Sequence, residues 1–194
     1  MKKKINRIAE LIQGVNQSRV QLDENQVFYD QTLFEHDLSN MYAYSTVSMK
    51  QSVEEDIYLN EGDIVISSTI QNATLIGKSD KKRVLTINFT KVKLSEEIDK
   101  AYFIYLYNLN REVQRQKERE TQTMGHVQRM TLKSMGSIEI PIVSMEKQRN
   151  IGNAFMMMSK IKNDAKHYID LIDKLTYSIL EEIMEVNLND KESN

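Results

Sequence analysis

The sequence contains no cysteine, which excludes disulfide bonds and thiolate metal sites. It also has no strong excess of one charge, since 26 Lys and Arg against 28 Asp and Glu give a formal net charge of -2. A protein that coats nucleic acid by charge alone is strongly basic, so this class is excluded. No apolar run approaches the roughly 20 residues that span a bilayer, and Asn6, Arg7 and Glu10 interrupt any signal core. These absences predict a cytoplasmic protein.

Proline occurs only at Pro141, and the character of the sequence changes there. Before it lie apolar runs of strand length, several of them beside glycines. Between these runs, Ser95–Lys117 has apolar residues at three- and four-residue steps, which predicts one helix. The chain is long enough for one domain with a core. We therefore predict an α+β fold, with a mixed-sheet domain over residues 1–143. Its strands include Asp63–Ser67, Arg83–Thr90 and Ser137–Ile140, and Ile5–Ile12 forms a first short strand or helix that stops at Gly14.

A long helix is predicted after Pro141, with Ser144 and Glu146 favouring its start. Apolar residues then keep coiled-coil spacing over several heptads. A helix from Glu146 to Leu188 would be about 65 Å long at roughly 1.5 Å per residue. Its apolar stripe needs a partner helix, because it would otherwise be exposed to water. We predict a spacer and dimerisation helix over residues 144–188, a disordered tail over 189–194, and a homodimer interface formed by Ile161, Ala165, Tyr168, Ile172, Leu175, Ile179 and Ile183.

The order of these features resembles the specificity subunits of type I restriction-modification systems. The segment Arg7–Gly14, followed by Asn16, Ser18 and Arg19, is similar to the opening of their target recognition domains. The Gly-Asp-Ile step within Leu59–Ser67 resembles a strand midway through those domains. The most specific likeness is the junction Ile138-Glu-Ile-Pro-Ile142, then Glu146-x-Gln148-x-x-Ile151, that leads into the long helix. Together these features cover nearly the whole chain.

Members of that family usually carry two recognition domains and two spacer helices in tandem, whereas this chain has one of each. The resemblance therefore implies a half-length subunit that reads one half of a bipartite double-stranded DNA target and pairs with a second copy. It implies a non-catalytic chain without a cofactor. The expected partners are a methyltransferase subunit, which carries S-adenosylmethionine, and the restriction and motor subunit. The alternative is a truncated or decoy subunit that binds the methyltransferase without productive DNA reading.

Catalytic interpretations of the sequence are weaker. Amino-methyltransferases of DNA need two adjacent prolines after an Asn or Asp, and one proline cannot supply them. The segment Asn72–Ser79 approaches a phosphate-binding loop but lacks its first glycine and the following helix. Acidic clusters at Glu54–Asp56 and Glu61–Asp63 are typical of solvated turns as well as of cation sites. The three histidines are scattered, so we predict no metal site.

The resemblance directs attention to loops in which amide, hydroxyl and basic side chains crowd together. Arg and Lys neutralise phosphates, while Asn, Gln and Arg pair with base edges. Four groups qualify as candidate DNA-binding residues. Group one is Gln13, Asn16, Gln17 and Arg19; group two is Ser67, Ser68, Gln71 and Asn72; group three is Lys78, Lys81, Lys82 and Arg83; group four is Arg111, Arg115, Lys117, Arg119, Gln122, Thr123, His126, Gln128 and Arg129.

Overall fold

The computed structural model describes residues 1–44, 56–121 and 129–192. The chain divides into two compact units, Met1–Ser159 and Lys160–Asn194. Strands and helices mix in the first unit, which confirms the α+β prediction. Within the described ranges, no helix is both long and apolar enough to cross a bilayer.

Nine short strands lie in the described part of the chain: β1 (Lys2–Lys4), β2 (Ala9–Gln13), β3 (Gln26–Phe28), β4 (Tyr58–Leu59), β5 (Ile64–Ser67), β6 (Ala73–Leu75), β7 (Lys82–Val84), β8 (Phe89–Leu94) and β9 (Glu139–Pro141). The largest sheet is antiparallel, in the order β2-β8-β5-β6. In a second sheet, β7 lies between β3, which is parallel to it, and β4, which is antiparallel. The third sheet pairs β1 with β9.

Six α-helices accompany these strands in the same described ranges: α1 (Ile5–Ile8), α2 (Gln31–Asn40), α3 (Lys100–Leu109), α4 (Arg111–Thr121), α5 (Leu132–Ser137) and α6 (Met145–Glu192). Short polar side chains begin α2, α3 and α5. Asp30 accepts a hydrogen bond from the Leu33 amide, and Asp99 accepts one from the Tyr102 amide. Thr131 caps α5 in the same way. Each cap satisfies an amide that the first helical turn leaves without a partner.

Strand β5 is buried on both faces because a core lies on each side of it. Successive side chains of a strand point to opposite faces, so Ile64 and Ile66 share one core while Val65 enters the other. The first core includes Phe103 of α3 and the second includes Phe89 of β8. This sandwiching fixes the register of the central sheet, because a slip of one residue would exchange the two faces.

Several elements differ from those predicted. The run Arg83–Thr90 forms two strands rather than one, because the chain turns between Val84 and Phe89. The helix predicted over Ser95–Lys117 is two helices that meet at Asn110, whose side chain accepts hydrogen bonds from the amides of Glu112 and Val113. The segment Ile5–Ile12 contains both α1 and most of β2. Helices α2 and α5 were not predicted, and Ala73–Leu75 is a strand within the segment that approached a phosphate-binding loop.

The long predicted helix is present as α6, whose 48 residues span about 72 Å at roughly 1.5 Å per residue. Its first turns belong to the Met1–Ser159 unit. Gln148 is buried there and donates to the carbonyl oxygens of Glu97 and Val143, at 3.0 and 2.9 Å. Its Oε1 accepts from the Asp99 amide at 2.9 Å. The Gln148 side chain thus donates two hydrogen bonds and accepts one. A glutamine amide has both the donors and the acceptor for this, which explains the glutamine of the Glu-x-Gln junction.

Candidate nucleic-acid interface

One edge of the β2-β8-β5-β6 sheet gathers the first two candidate groups. Gln13 ends β2 and Ser67 ends β5, whereas Ala73 begins β6 and Phe89 begins β8. Because neighbouring strands of this sheet are antiparallel, these four ends meet at the same edge. The loops there are residues 13–19, 67–72 and 85–89, which together we call the loop edge.

Backbone hydrogen bonds join the three segments of the loop edge. The Val15 amide donates to Leu85 O and the Ile87 amide donates to Val15 O, both at 2.9 Å. The Ser68 amide donates to Asn88 O at 2.9 Å. A Cβ atom on Gly14 would lie 2.2 Å from a backbone oxygen of residue 86, so only glycine permits this approach. The loops are therefore held against each other by their own backbones.

Group one lies on the first of these segments. Gln13, Asn16, Gln17 and Arg19 are all exposed. The Asn16 side chain accepts from the Ser18 amide at 3.1 Å and so begins a short 3-10 turn over Gln17–Arg19. Arg19 is the one charged residue of the loop edge, and no Asp or Glu occurs in its three segments. The edge therefore offers amides and one guanidinium to a ligand without repelling an anion.

Group two forms the turn between β5 and β6. Gln71 and Asn72 are half-buried, and Gln71 adopts a left-handed backbone with φ of 58°. Ser68 is only 8% exposed, so its side chain offers little surface for the predicted DNA contact. Ser67 is fully buried, and its hydroxyl accepts from the Ile70 amide. Two exposed residues of this turn, Thr69 and Ile70, were missed because sequence reasoning sought amides and cations.

Group three does not join the loop edge. Leu75 ends β6 at the opposite edge of the sheet, and Lys78 and Lys81 follow it as exposed residues. Lys82 is exposed, with its ammonium group 4.4 Å from the centre of the Tyr58 ring. The lysine cluster that the sequence suggested is thus a separate surface.

Arg83 is a correction to the predicted DNA-binding residues, because it is buried in the core. Its Nη1 donates to Asp37 Oδ2 at 2.8 Å, and the carboxylate also accepts from the Tyr29 hydroxyl at 3.0 Å. Burial, reinforced by the Asp37 charge, raises the pKa of Tyr29. The side chains involved come from β7, α2 and the residue after β3, so the network ties these elements together.

Group four lies largely on α4. Val113 and Lys117 face the core, whereas Arg111, Arg115 and Arg119 follow one another at four-residue steps and are exposed. Arg129 is also exposed. Four further members of the group, Gln122, Thr123, His126 and Gln128, lie outside the described residues.

Lys117 departs from the expectation that it contacts DNA, because it is only 3% exposed. Its Nζ donates to the carbonyl oxygens of Gln71 at 2.8 Å and of Tyr107 at 2.7 Å, and lies 4.4 Å from the centre of the Tyr107 ring. Burial lowers the pKa of Lys117 to about 8. Helix α4 is thereby attached to the turn that carries group two.

One residue of each acidic cluster forms an ion pair with a lysine of β8. Asp63 pairs with Lys91 at 2.7 Å and Asp56 with Lys93 at 2.5 Å, while Glu54 and Glu55 lie outside the described residues. In the described ranges, no three acidic or histidine side chains are placed to hold a metal ion.

Helix α6 exposes the apolar residues that were predicted to form a dimer interface. Exposed fractions are 66% for Ile161, 65% for Tyr168, 62% for both Ile172 and Leu175, 46% for Ile179 and 52% for Ile183, and Ala165 is exposed as well. This stripe continues for more than twenty residues along one helix. An exposed apolar stripe of this length is typical of a surface that binds another protein chain.

Solved structures share this arrangement of a mixed-sheet domain and a long helix. The HsdS subunit from Thermoanaerobacter tengcongensis matches with a TM-score of 0.52 and 14% identity, over 85% of this chain and 38% of that chain. The S subunit from M. genitalium matches with a TM-score of 0.54 and 15% identity, over 90% and 42%. A third match is a chain from a structure titled as the structural basis of complex assembly and conformational transition of the type I R-M system. Its TM-score is 0.58 and its identity is 14%, over 93% of this chain and 43% of that chain.

The fold is therefore that of part of an S subunit, and this chain spans about two fifths of the length of those matched. Comparison with curated proteins gave no match. The family model of the type I restriction modification DNA specificity domain matches residues 18–169. The chain belongs to this family.

Proposed function

We propose that this chain recognises one half of a bipartite double-stranded DNA target on behalf of a type I restriction-modification methyltransferase. The observation that carries the proposal is the loop edge, in which three loops without Asp or Glu are hydrogen-bonded to each other at one end of a sheet. The chain's membership of the specificity-domain family supports it. Rigid placement of this kind suits base reading, because a misplaced amide loses its paired hydrogen bonds to a base edge.

Within this proposal the exposed side chains divide by chemistry. Gln13 and Gln17 have amides that can pair with adenine, Asn16 holds the turn that carries Gln17, and Arg19 can pair with guanine or neutralise a phosphate. Arg115 and Arg119 of α4 supply positive charge that fixes register on the sugar-phosphate backbone. The lysines of group three leave from the opposite edge of the sheet and stand outside this footprint.

Pairing of two copies through α6 is the second part of the proposal. The exposed stripe that includes Ile172 and Leu175 has the spacing of a coiled-coil seam, and an identical stripe on a second copy would cover it. We propose an antiparallel pair, which places two identical domains on a twofold axis. Twofold symmetry in the protein imposes inverted half-sites on the DNA, separated by unread base pairs.

The methyl transfer itself is assigned in this proposal to a partner methyltransferase that carries S-adenosylmethionine, and any cleavage to a restriction and motor subunit. The chain then performs no catalytic step and acts in the cytoplasm. Its contribution is to choose the sites at which the partner acts.

Methylome sequencing of cells that express this chain with its methyltransferase tests the proposal. The expected result is methylation at two short inverted half-sites with a fixed gap. A decoy subunit would instead assemble with the methyltransferase and give no site preference, which a gel-shift assay of the complex would also show. Methylation that is unaffected by deletion of this chain would refute the proposal.

A further inference from the structure

Two branched aliphatic side chains are exposed at adjoining turns of the loop edge. Ile70 is 39% exposed between β5 and β6, and Ile87 is 43% exposed between β7 and β8. In the described part of the Met1–Ser159 unit, the other exposed Ile and Leu side chains are Leu109 and Ile151. Half of this small set therefore lies on one acid-free edge that is otherwise lined with amides and hydroxyls.

The backbone holds both isoleucines in place. The Ile70 amide donates to the Ser67 hydroxyl at 3.2 Å, and the Ile87 amide donates to Val15 O at 2.9 Å. The two turns are joined where the Ser68 amide donates to Asn88 O. Side chains on a preformed backbone lose little conformational freedom when a ligand covers them.

The neighbouring groups identify the ligand chemistry. Thr69, Asn72 and Asn88 place hydroxyl and amide groups beside the isoleucines, and such groups suit the polar edges of bases. The apolar group that a base pair presents in the major groove is the C5-methyl of thymine. We propose that Ile70 and Ile87 contact thymine methyl groups and so determine part of the target sequence. This inference rests on the proposed function.

Two other uses of exposed isoleucines are less consistent with the surroundings. A wedge that enters between base pairs also uses apolar side chains, but it would respond to stacking and not to the thymine methyl. A protein partner would need a larger apolar core than two side chains ringed by polar groups. Both uses become outcomes of the test.

The test begins with selection of a binding sequence from a library of randomised duplexes, using the full chain with its methyltransferase subunit. Affinity is then measured by fluorescence anisotropy on the selected duplex, and on duplexes in which each thymine is replaced in turn by uracil. This replacement removes only the methyl group. We expect uracil to weaken binding about fourfold at each position where an isoleucine contacts the thymine methyl.

Single variants connect the effect to the two side chains. In Ile70→Ala or Ile87→Ala, replacement of the contacted thymine by uracil should change affinity less than twofold, because the partner of the methyl is already gone. Ile151→Ala serves as the matched control, since it truncates an isoleucine of 37% exposure outside the loop edge. This control should keep the wild-type preference for thymine.

The outcomes separate this inference from the proposed function. No selected sequence would overturn both. A selected sequence that lacks thymine, or one that binds equally well with uracil, would overturn the inference alone and leave sequence recognition standing. Variants that lose affinity equally on thymine and uracil duplexes would indicate a wedge. Variants that lose only methyltransferase binding would indicate a protein contact.

Discussion

The ammonium group of Lys117 lies 2.8 Å from the carbonyl oxygen of Gln71, the one described non-glycine residue with a positive φ. This bond joins the buried side of α4 to the turn between β5 and β6. A left-handed residue costs conformational energy outside glycine and persists where neighbouring contacts hold it. Lys117 therefore acts as a positioning residue for the turn that carries Thr69 and Ile70.

Lys117 makes stability depend on pH in a defined direction. Its pKa is about 8 in the folded protein against 10.5 in the unfolded chain, so between these values the unfolded state binds more protons. Stability from this group therefore rises with pH from about 8 to 10.5. Lys117→Met, which keeps a long side chain without a titratable group, should lack this rise. Urea unfolding of both proteins at pH 7.5 and pH 9.5 measures the difference.

The wild type must be compared with Lys117→Met because Lys100 also titrates in this pH range. Burial lowers its pKa to about 8 too, so it contributes in the same pH window. This contribution is common to the wild type and Lys117→Met and cancels in the comparison. An identical pH profile for the two proteins would contradict the assigned pKa of Lys117.

The buried pair of Arg83 and Asp37 should be costly to break. Arg83→Met leaves the Asp37 carboxylate without its cationic partner in the core, and we expect a loss of roughly 3–5 kcal/mol in the free energy of unfolding. Lys81→Met, at an exposed site, should change it by less than about 0.5 kcal/mol. Equal effects in chemical denaturation would show that Arg83 is not in the core.

The exposed stripe of α6 should make the chain a dimer. Leu175→Asp with Ile179→Asp places charge in the proposed seam, and light scattering should then report monomers at micromolar concentration. Lys174→Asp changes the net charge by the same amount, two negative units, from a neighbouring position outside the predicted interface. It should remain dimeric. A monomeric wild-type chain at the same concentration would contradict the proposed homodimer.

DNA affinity should be modest for the chain alone, because its formal net charge is -2 and phosphate neutralisation dominates binding strength. Addition of the methyltransferase should raise it. Arg115→Ala and Arg119→Ala should each weaken binding to all sequences and reduce the slope of log affinity against log salt by about one. Anisotropy titrations at several salt concentrations measure both effects. Nanomolar binding by the isolated chain at physiological salt would contradict this expectation.

The spacing of the DNA half-sites should follow the length of α6. Insertion or deletion of whole heptads around Lys162–Ala165 keeps the seam in register and moves the domains along the helix axis. Methylome sequencing should then return the same half-sites with a longer or shorter gap. A gap that is indifferent to helix length would contradict a role for α6 as a spacer.

Periodic elements could be predicted from the sequence, whereas long-range partners could not. The apolar run of β5 and the seam of α6 repeat at the periods of a strand and a helix, so the residues themselves carry the signal. Arg83 was misassigned because its partner, Asp37, lies 46 residues away on α2. A run of basic residues in the sequence does not show whether one of them is buried and paired with a carboxylate far away in the chain.

Helix-capping residues mark several of the element boundaries in the sequence. Asp30 and Thr131 are helix-capping residue types, and each caps a helix, α2 or α5, that apolar periodicity alone does not predict. Asn110 marks the break between α3 and α4 in the same way. Ile70 and Ile87 gave no signal, since exposure of an isoleucine depends on which turn residues face solvent in the folded domain.

The close contact between α6 and α3 affects where this domain could be joined to the helix of another subunit in a hybrid protein. A Cβ atom on Gly152 would lie 2.8 Å from Ala101 Cβ, so the two helices pack closely at this glycine. In a hybrid joined at Pro141, a foreign helix with any residue other than glycine at position 152 would clash with α3 at Ala101. One cut after Ser159 transfers the domain together with the helical turns that fit it. In such grafts the natural unit of exchange is larger than the sheet domain by roughly four turns of helix.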